Sequence, residues 1–215
     1  MRSEAFNLCA ERHGLMVIIA LGESIVAIGV GVTHLAISWP VVVAATLGLA
    51  VAASLWWAYF DTAAILSEHA LPSAKGDQRV AMARTAFTYL HLPMMVGIVM
   101  LALGMKKVLT YVGDSEHHAL SDPLYGAPLW ALYGGTALYL LAHVGFAWRC
   151  YRSFKTYRLG VAVVLVALVP LVANLPALAA LGVLAALLIT LNTVETTVFR
   201  AARDEARHGD HEHHE

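Results

Sequence analysis

The sequence predicts an all-α protein built for a lipid bilayer: a polytopic bundle of about six transmembrane helices with both termini cytoplasmic. Three observations lead there. Of the 215 residues 59% are hydrophobic and only 13% are charged, with a mean hydropathy of +0.67, whereas a soluble domain carries about 25% charged residues. The apolar residues fall in blocks of about 20, the length a helix needs to cross the hydrocarbon. Finally, Lys and Arg alternate in abundance between successive loops. One set of termini and loops holds Arg2, Arg12, Lys75, Arg79, Arg84, Arg149, Arg152, Lys155, Arg158, Arg200, Arg203 and Arg207, or 12 of the 14. The other holds Lys106 and Lys107 alone, and cationic loops stay inside.

Taken in order, the spans are expected at about 14–34, 40–60, 85–105 and 128–148. The remaining apolar block, 159–199, is too long for one helix. Asn174-Leu175-Pro176 divides it, because proline breaks a helix and favours the first turn of the next. Residues 1–203 thus form one transmembrane domain. The tail 204–215, with HGDHEHHE at its end, is read as a solvated cytoplasmic segment rather than a dedicated metal site, since it has charge and no apolar face. The N-terminus is polar and does not resemble a cleavable signal. A net charge of −1 without a basic stripe gives no indication of a nucleic-acid partner. Cys9 and Cys150 form no CxxC and are read as reduced. No nucleophile, metal or dinucleotide constellation emerges, as Ile28–His34 lacks the third glycine of a phosphate-binding loop. No enzyme activity, cofactor or metal is expected.

Interest therefore falls on polar side chains inside the spans. Between His13 and His34 the only ionisable residue is Glu23. Ala20, Ser24, Ala27 and Gly31 recur at steps of 4, 3 and 4, a small-residue stripe where another helix can approach. Glu23 borders this stripe and is expected to face the bundle near the midplane, because a lipid-facing carboxylate costs at least about 2.5–3.5 kcal/mol. Two readings stand for it: a functional group, or a hydrogen-bonding glue between helices. Arg84, Thr88, His91 and Met95 share one face of the third span, which makes His91 and Arg84 its candidate partners. Pro93 removes a backbone donor there and is expected to open the helix locally. Asp61, ending an aromatic belt, is expected to pair with Arg79 or Arg84. His143 is placed either at the interface or in a mechanism, and Glu195, one turn from Asn192, at the cytoplasmic cap of the last span.

AERHGLMVIIALGESIVAIGVG (10–31), LWWAYFD (55–61) and RTAFTYLHLP (84–93) closely resemble, in this order, landmarks of the bacterial low temperature requirement A family. The resemblance covers nearly the whole chain apart from its tail. It implies a multi-pass protein of the bacterial inner membrane and brings no substrate with it. Members are typically longer, so the chain resembles their C-terminal part: a fragment, a truncated gene or a short variant, whose partner is a missing N-terminal half or a second copy. The expected function is a transporter or channel-like role using a buried carboxylate. The alternative is a non-transporting structural or sensory membrane protein in cold or envelope stress.

Overall fold

The computed structural model describes residues 2–33, 37–65, 89–151 and 156–212. Among them are six helices: α1 (Arg2–Val32), α2 (Trp39–Ile65), α3 (His91–Gly113), α4 (Gly126–Tyr151), α5 (Thr156–Val172) and α6 (Ala177–Glu212). Five carry apolar stretches of 20 to 24 residues, long enough to cross a membrane. The fifth helix is shorter, at 17 residues, or about 25 Å of rise. The expected division of the last apolar block holds. Residues 173–176 form the turn, and α6 starts directly after Pro176.

The order of burial identifies the centre. α4 buries 67% of its span and α1 only 28%, so α4 is the most enclosed of the long helices and α1 an outer one, while α3 packs against α1, α2, α4 and α6. α4 lies against α3 and α5, α1 against α3 and α2, and α6 against α2, α3 and α5. At one end the α3–α4 loop meets the α5–α6 turn, where the Ala177 amide donates to the Asp122 carbonyl at 3.0 Å. Two buried tyrosines on α4 tie the bundle crosswise. Tyr133 donates to the Ala180 carbonyl of α6 at 2.8 Å and Tyr139 to the Leu55 carbonyl of α2 at 3.0 Å.

The closest helix contact is between α3 and α4, through glycines. A Cβ at Gly97 would stand 2.6 Å from the Gly135 carbonyl oxygen, and one at Gly104 would stand 2.7 Å from the Leu132 nitrogen. These are backbone atoms that cannot swing away, so only the absence of a side chain permits the contact. In a bilayer, where apolar surface gains little by leaving lipid, this close van der Waals packing is what holds two helices together. The small-residue stripe of α1 also turns inward. Ser24 is wholly buried, and a Cβ at Gly31 would meet Leu109 of α3 at 3.3 Å.

The starts of two helices bear on what the sequence led us to expect. Pro93 is the third residue of α3, and Tyr89, whose carbonyl it leaves without an i+4 amide, is π-helical just before that helix. Arg158 is no loop cation but sits in the first turn of α5, fully buried.

The glycine contact predicts a contrast. Gly97→Ala forces a Cβ into a backbone oxygen and should destabilise the protein by about 1–3 kcal/mol, the usual cost of overpacking. Gly160→Ala, where nothing lies within 4 Å, should be neutral or slightly stabilising. Thermal unfolding in detergent, followed by circular dichroism, distinguishes the two.

Candidate functional site

Six polar side chains of the helices, one from each, converge at one end of the bundle. At the centre is Arg158 of α5, with no exposed surface, against Glu195 of α6, 4% exposed. The guanidinium meets the carboxylate through two nitrogens: Nε donates to Oε1 at 2.8 Å and Nη2 to Oε2 at 2.6 Å. This forked geometry is the strongest a carboxylate can receive from a side chain. The third nitrogen, Nη1, donates to the Ala58 carbonyl of α2 at 2.9 Å and reaches Nδ1 of His143 on α4 at 2.7 Å. Nη1 also lies 3.3 Å from Nε2 of the same ring, so the guanidinium rests against both nitrogens of the His143 imidazole.

From His143 the cluster continues outward. Its ring stacks on Tyr59 of α2, with centroids 5.9 Å apart, and the Tyr59 hydroxyl is 3.0 Å from Nε2 of His91 on α3. The His91 ring in turn meets His13 of α1 edge-on at 5.0 Å. All six residues lie near the same helix ends: His13 and His91 open their spans, Tyr59, His143 and Glu195 lie toward the close of theirs, and Arg158 sits in the first turn of α5. The cluster is thus a layer at one end of the bundle, not a midplane site. Beside it a groove of about 450 Å³ opens between α2 and α6. It is lined in part by Ser54, Asn192, Thr193, Thr196 and Thr197. Asn192, one turn from Glu195, donates to the Ser54 carbonyl at 2.9 Å.

Of the residues singled out from the sequence, His91, His143 and Glu195 come together here. His143 does not reach for the interface, and Glu195 does not cap the surface: both are buried on Arg158. Glu23 is elsewhere. On α1 the buried positions are Val17, Leu21, Ser24 and Ile28, and one residue turns a helix by about 100°. Glu23 therefore leaves that face and joins Ile19, Val26 and Val30 on the outside, exposed. It is also ten residues beyond His13, about 15 Å along the axis, and His13 is the α1 residue that touches His91. The expected Glu23–His91 pairing does not form. Arg84 and Arg79 lie outside the described residues, and half-buried Asp61 makes no ion pair among the described ones. Sequence reasoning missed Arg158, Tyr59 and His13. Among the described residues no group of three or more His, Cys, Asp or Glu side chains is placed to hold a metal.

At the opposite end, the loop after α3 carries a smaller polar pair. His117 Nδ1 lies 2.9 Å from the exposed Asp114 carboxylate. That hydrogen bond holds the Asp114 carboxyl below its ordinary value of 3.8. A depressed carboxyl pKa means that the interaction is present above the ordinary value and is lost as pH falls through the lower, folded one.

The profile of the bacterial low temperature requirement A protein family matches residues 6–193. The matched stretch includes His13, Tyr59, His91, His143 and Arg158 and ends two residues before Glu195. No curated protein and no solved structure matches the chain.

Two measurements follow. Glu195→Leu should destabilise the bundle by about 3–5 kcal/mol, because it leaves a buried guanidinium without its anion. Arg158→Leu should cost less, since a carboxylate can take up a proton and an arginine cannot shed one. The double variant should recover part of the loss, all three being read from thermal unfolding in one detergent. Separately, an NMR titration of the Asp114 carboxyl should have its midpoint below 3.8, and His117→Ala should return it to the ordinary value.

Proposed function

We propose that this chain, which belongs to the bacterial low temperature requirement A family, is a transporter or channel-like protein of the bacterial inner membrane whose gate is the Glu195–Arg158–His143 cluster. Family membership and five long apolar helices make it a multi-pass membrane protein. The finer reading rests on one observation: a forked ion pair buried where one residue from each helix meets. Such a pair contributes little net stability, because desolvation offsets most of the attraction. Its use lies in what happens when one charge is removed.

In this reading the closed state has Glu195 ionised and gripped by Arg158. A proton arriving at this end adds to a Glu195 oxygen. That oxygen then becomes a hydroxyl donor and no longer accepts from the guanidinium. Arg158 keeps its charge, loses its anion and is drawn toward water, as in the groove beside α6. The grip on α2, α4 and α6 loosens together, since all three hold the same guanidinium. Loss of the proton closes the layer again.

With Arg158 taken into the bundle, 11 of the remaining 13 Lys and Arg fall by sequence toward the termini or at and after the ends of α2 and α4, the helices that end toward the cluster. By the positive-inside rule we assign this end, with both termini, to the cytoplasm. We assign the protein no enzymatic activity, cofactor or nucleic-acid partner, and its solvent is the lipid bilayer. A second reading, a non-transporting structural or sensory protein in cold or envelope stress, draws on the complete burial of Arg158. Under that reading the cluster is a permanent clamp.

The full chain in proteoliposomes decides between them. Proton and cation flux, read by internal dyes under an imposed pH gradient, should exceed that of empty vesicles. It should lose its pH dependence in Glu195→Gln, which keeps the shape and removes the titration, and should persist in Gly160→Ala. Flux equal to that of empty vesicles, or unchanged in Glu195→Gln, would leave the clamp.

A further inference from the structure

The outward face of α1 is the least explained surface of the bundle. Ile19, Glu23, Val26 and Val30 follow one another at steps of 4, 3 and 4, and the three apolar members are 64%, 56% and 56% exposed. Among the described residues Glu23 makes no hydrogen bond or ion pair. It is eleven residues from Arg12 and eight from Gly31, the ends of the span, so it is close to the middle of the hydrocarbon. Lipid tails offer it nothing to bond, and from that depth a glutamate is too short to reach the headgroups. Next to it, Gly22 and Gly29 leave open space: an added Cβ at either meets nothing within 4 Å. By helical spacing the two glycines stand about 70–90° around α1 from the middle of this row, so they flank the face, and what distinguishes the face itself is a carboxyl that needs a partner.

We propose that this face is the contact between two copies of the chain in the membrane, with the two Glu23 carboxyls bonded to each other. Copies inserted the same way are related by an axis along the membrane normal, which places each residue at the depth of its own counterpart. Glu23 then meets Glu23. A carboxyl group suits such a contact because it is self-complementary once a proton is present: the protonated group donates and its mate accepts. The face offers no better match, as α1 has no other ionisable side chain between His13 and its end at Val32. Of the exposed lysines of α3, Lys106 packs beside Gly31, about 12 Å further along the axis than Glu23, and Lys107 is one residue deeper into that end. In a parallel pair neither reaches the carboxyl. The ion-pair cluster lies elsewhere, at the helix ends, so this contact does not depend on how that cluster works.

The test uses the full chain, with Cys9 and Cys150 replaced by serine, in liposomes at low protein-to-lipid ratio. Val26→Cys should give a cross-linked dimer with a short thiol-reactive linker. Val163→Cys, equally exposed but on α5, should not. Glu23→Leu should lower the dimer yield of Val26→Cys about tenfold, the usual scale of a polar interhelical bond. Glu23→Gln, whose amide also both donates and accepts, should preserve it. Because Glu23 faces outward, all variants should keep the wild-type circular dichroism and melting curve of the monomer in detergent. Three results would each overturn the proposal: equal cross-linking of Val26→Cys and Val163→Cys, a dimer unaffected by Glu23→Leu, or a Glu23→Gln variant that dissociates as fully as Glu23→Leu.

Discussion

The constraint from which this bundle is organised is that a guanidinium cannot lose its charge. Arg158 enters the protein interior in the first turn of α5 with no exposed surface, and nothing in the chemistry of arginine allows it to become neutral there. Its donors must therefore be met by protein groups, and the acceptors come from three different helices: the Glu195 carboxylate, the Ala58 carbonyl and a His143 nitrogen. Each acceptor fixes the height and rotation of the helix that carries it. A helix bundle packed only by leucine, valine and alanine has many nearly equivalent registers. One arginine with directional demands on α2, α4 and α6 selects among them.

A division of labour follows between the two kinds of contact. The glycines of α3 and α4 supply close, undirected packing in the body of the bundle, and the tyrosines of α4 add single hydrogen bonds to distant backbones. Among the described residues, buried charge is confined to one end. That placement is reasonable in energetic terms, because the cost of an ionised group falls from the midplane toward the interface. It also means that the ionised layer is the part of the interior nearest to water and protons.

How much of this was legible in the sequence depended on which physical rule applied to each residue. Composition and block length gave the helices, and Pro176 marked the last turn correctly. Arg158 was lost because counting loop cations presumes that a cation near a span end is outside it. The contrary signal was present: Arg158, Ala162, Leu165, Val169 and Val172 follow helical spacing, and all five are buried. Glu195 completes a similar series with Leu184, Leu188 and Leu191. Glu23 was misplaced by one step of rotation, since bordering an inward stripe on one side is compatible with facing out on the other. His13 and Tyr59 lie inside the landmark segments 10–31 and 55–61, but no spacing rule singles them out; only the packing of α1 and α2 against α3 brings them to His91.

The glycine contact of α3 and α4 has a mechanical meaning. Backbones that already touch can neither approach further nor slide without the side chains around them colliding, so these two helices behave as a single plate. His91 and His143 are mounted on that plate and keep their mutual distance whatever else shifts, whereas Arg158 and Glu195 belong to helices outside it. Any displacement at the charged end is then felt as a change between the plate and its neighbours. The seam along which the bundle yields runs between His143 and Arg158.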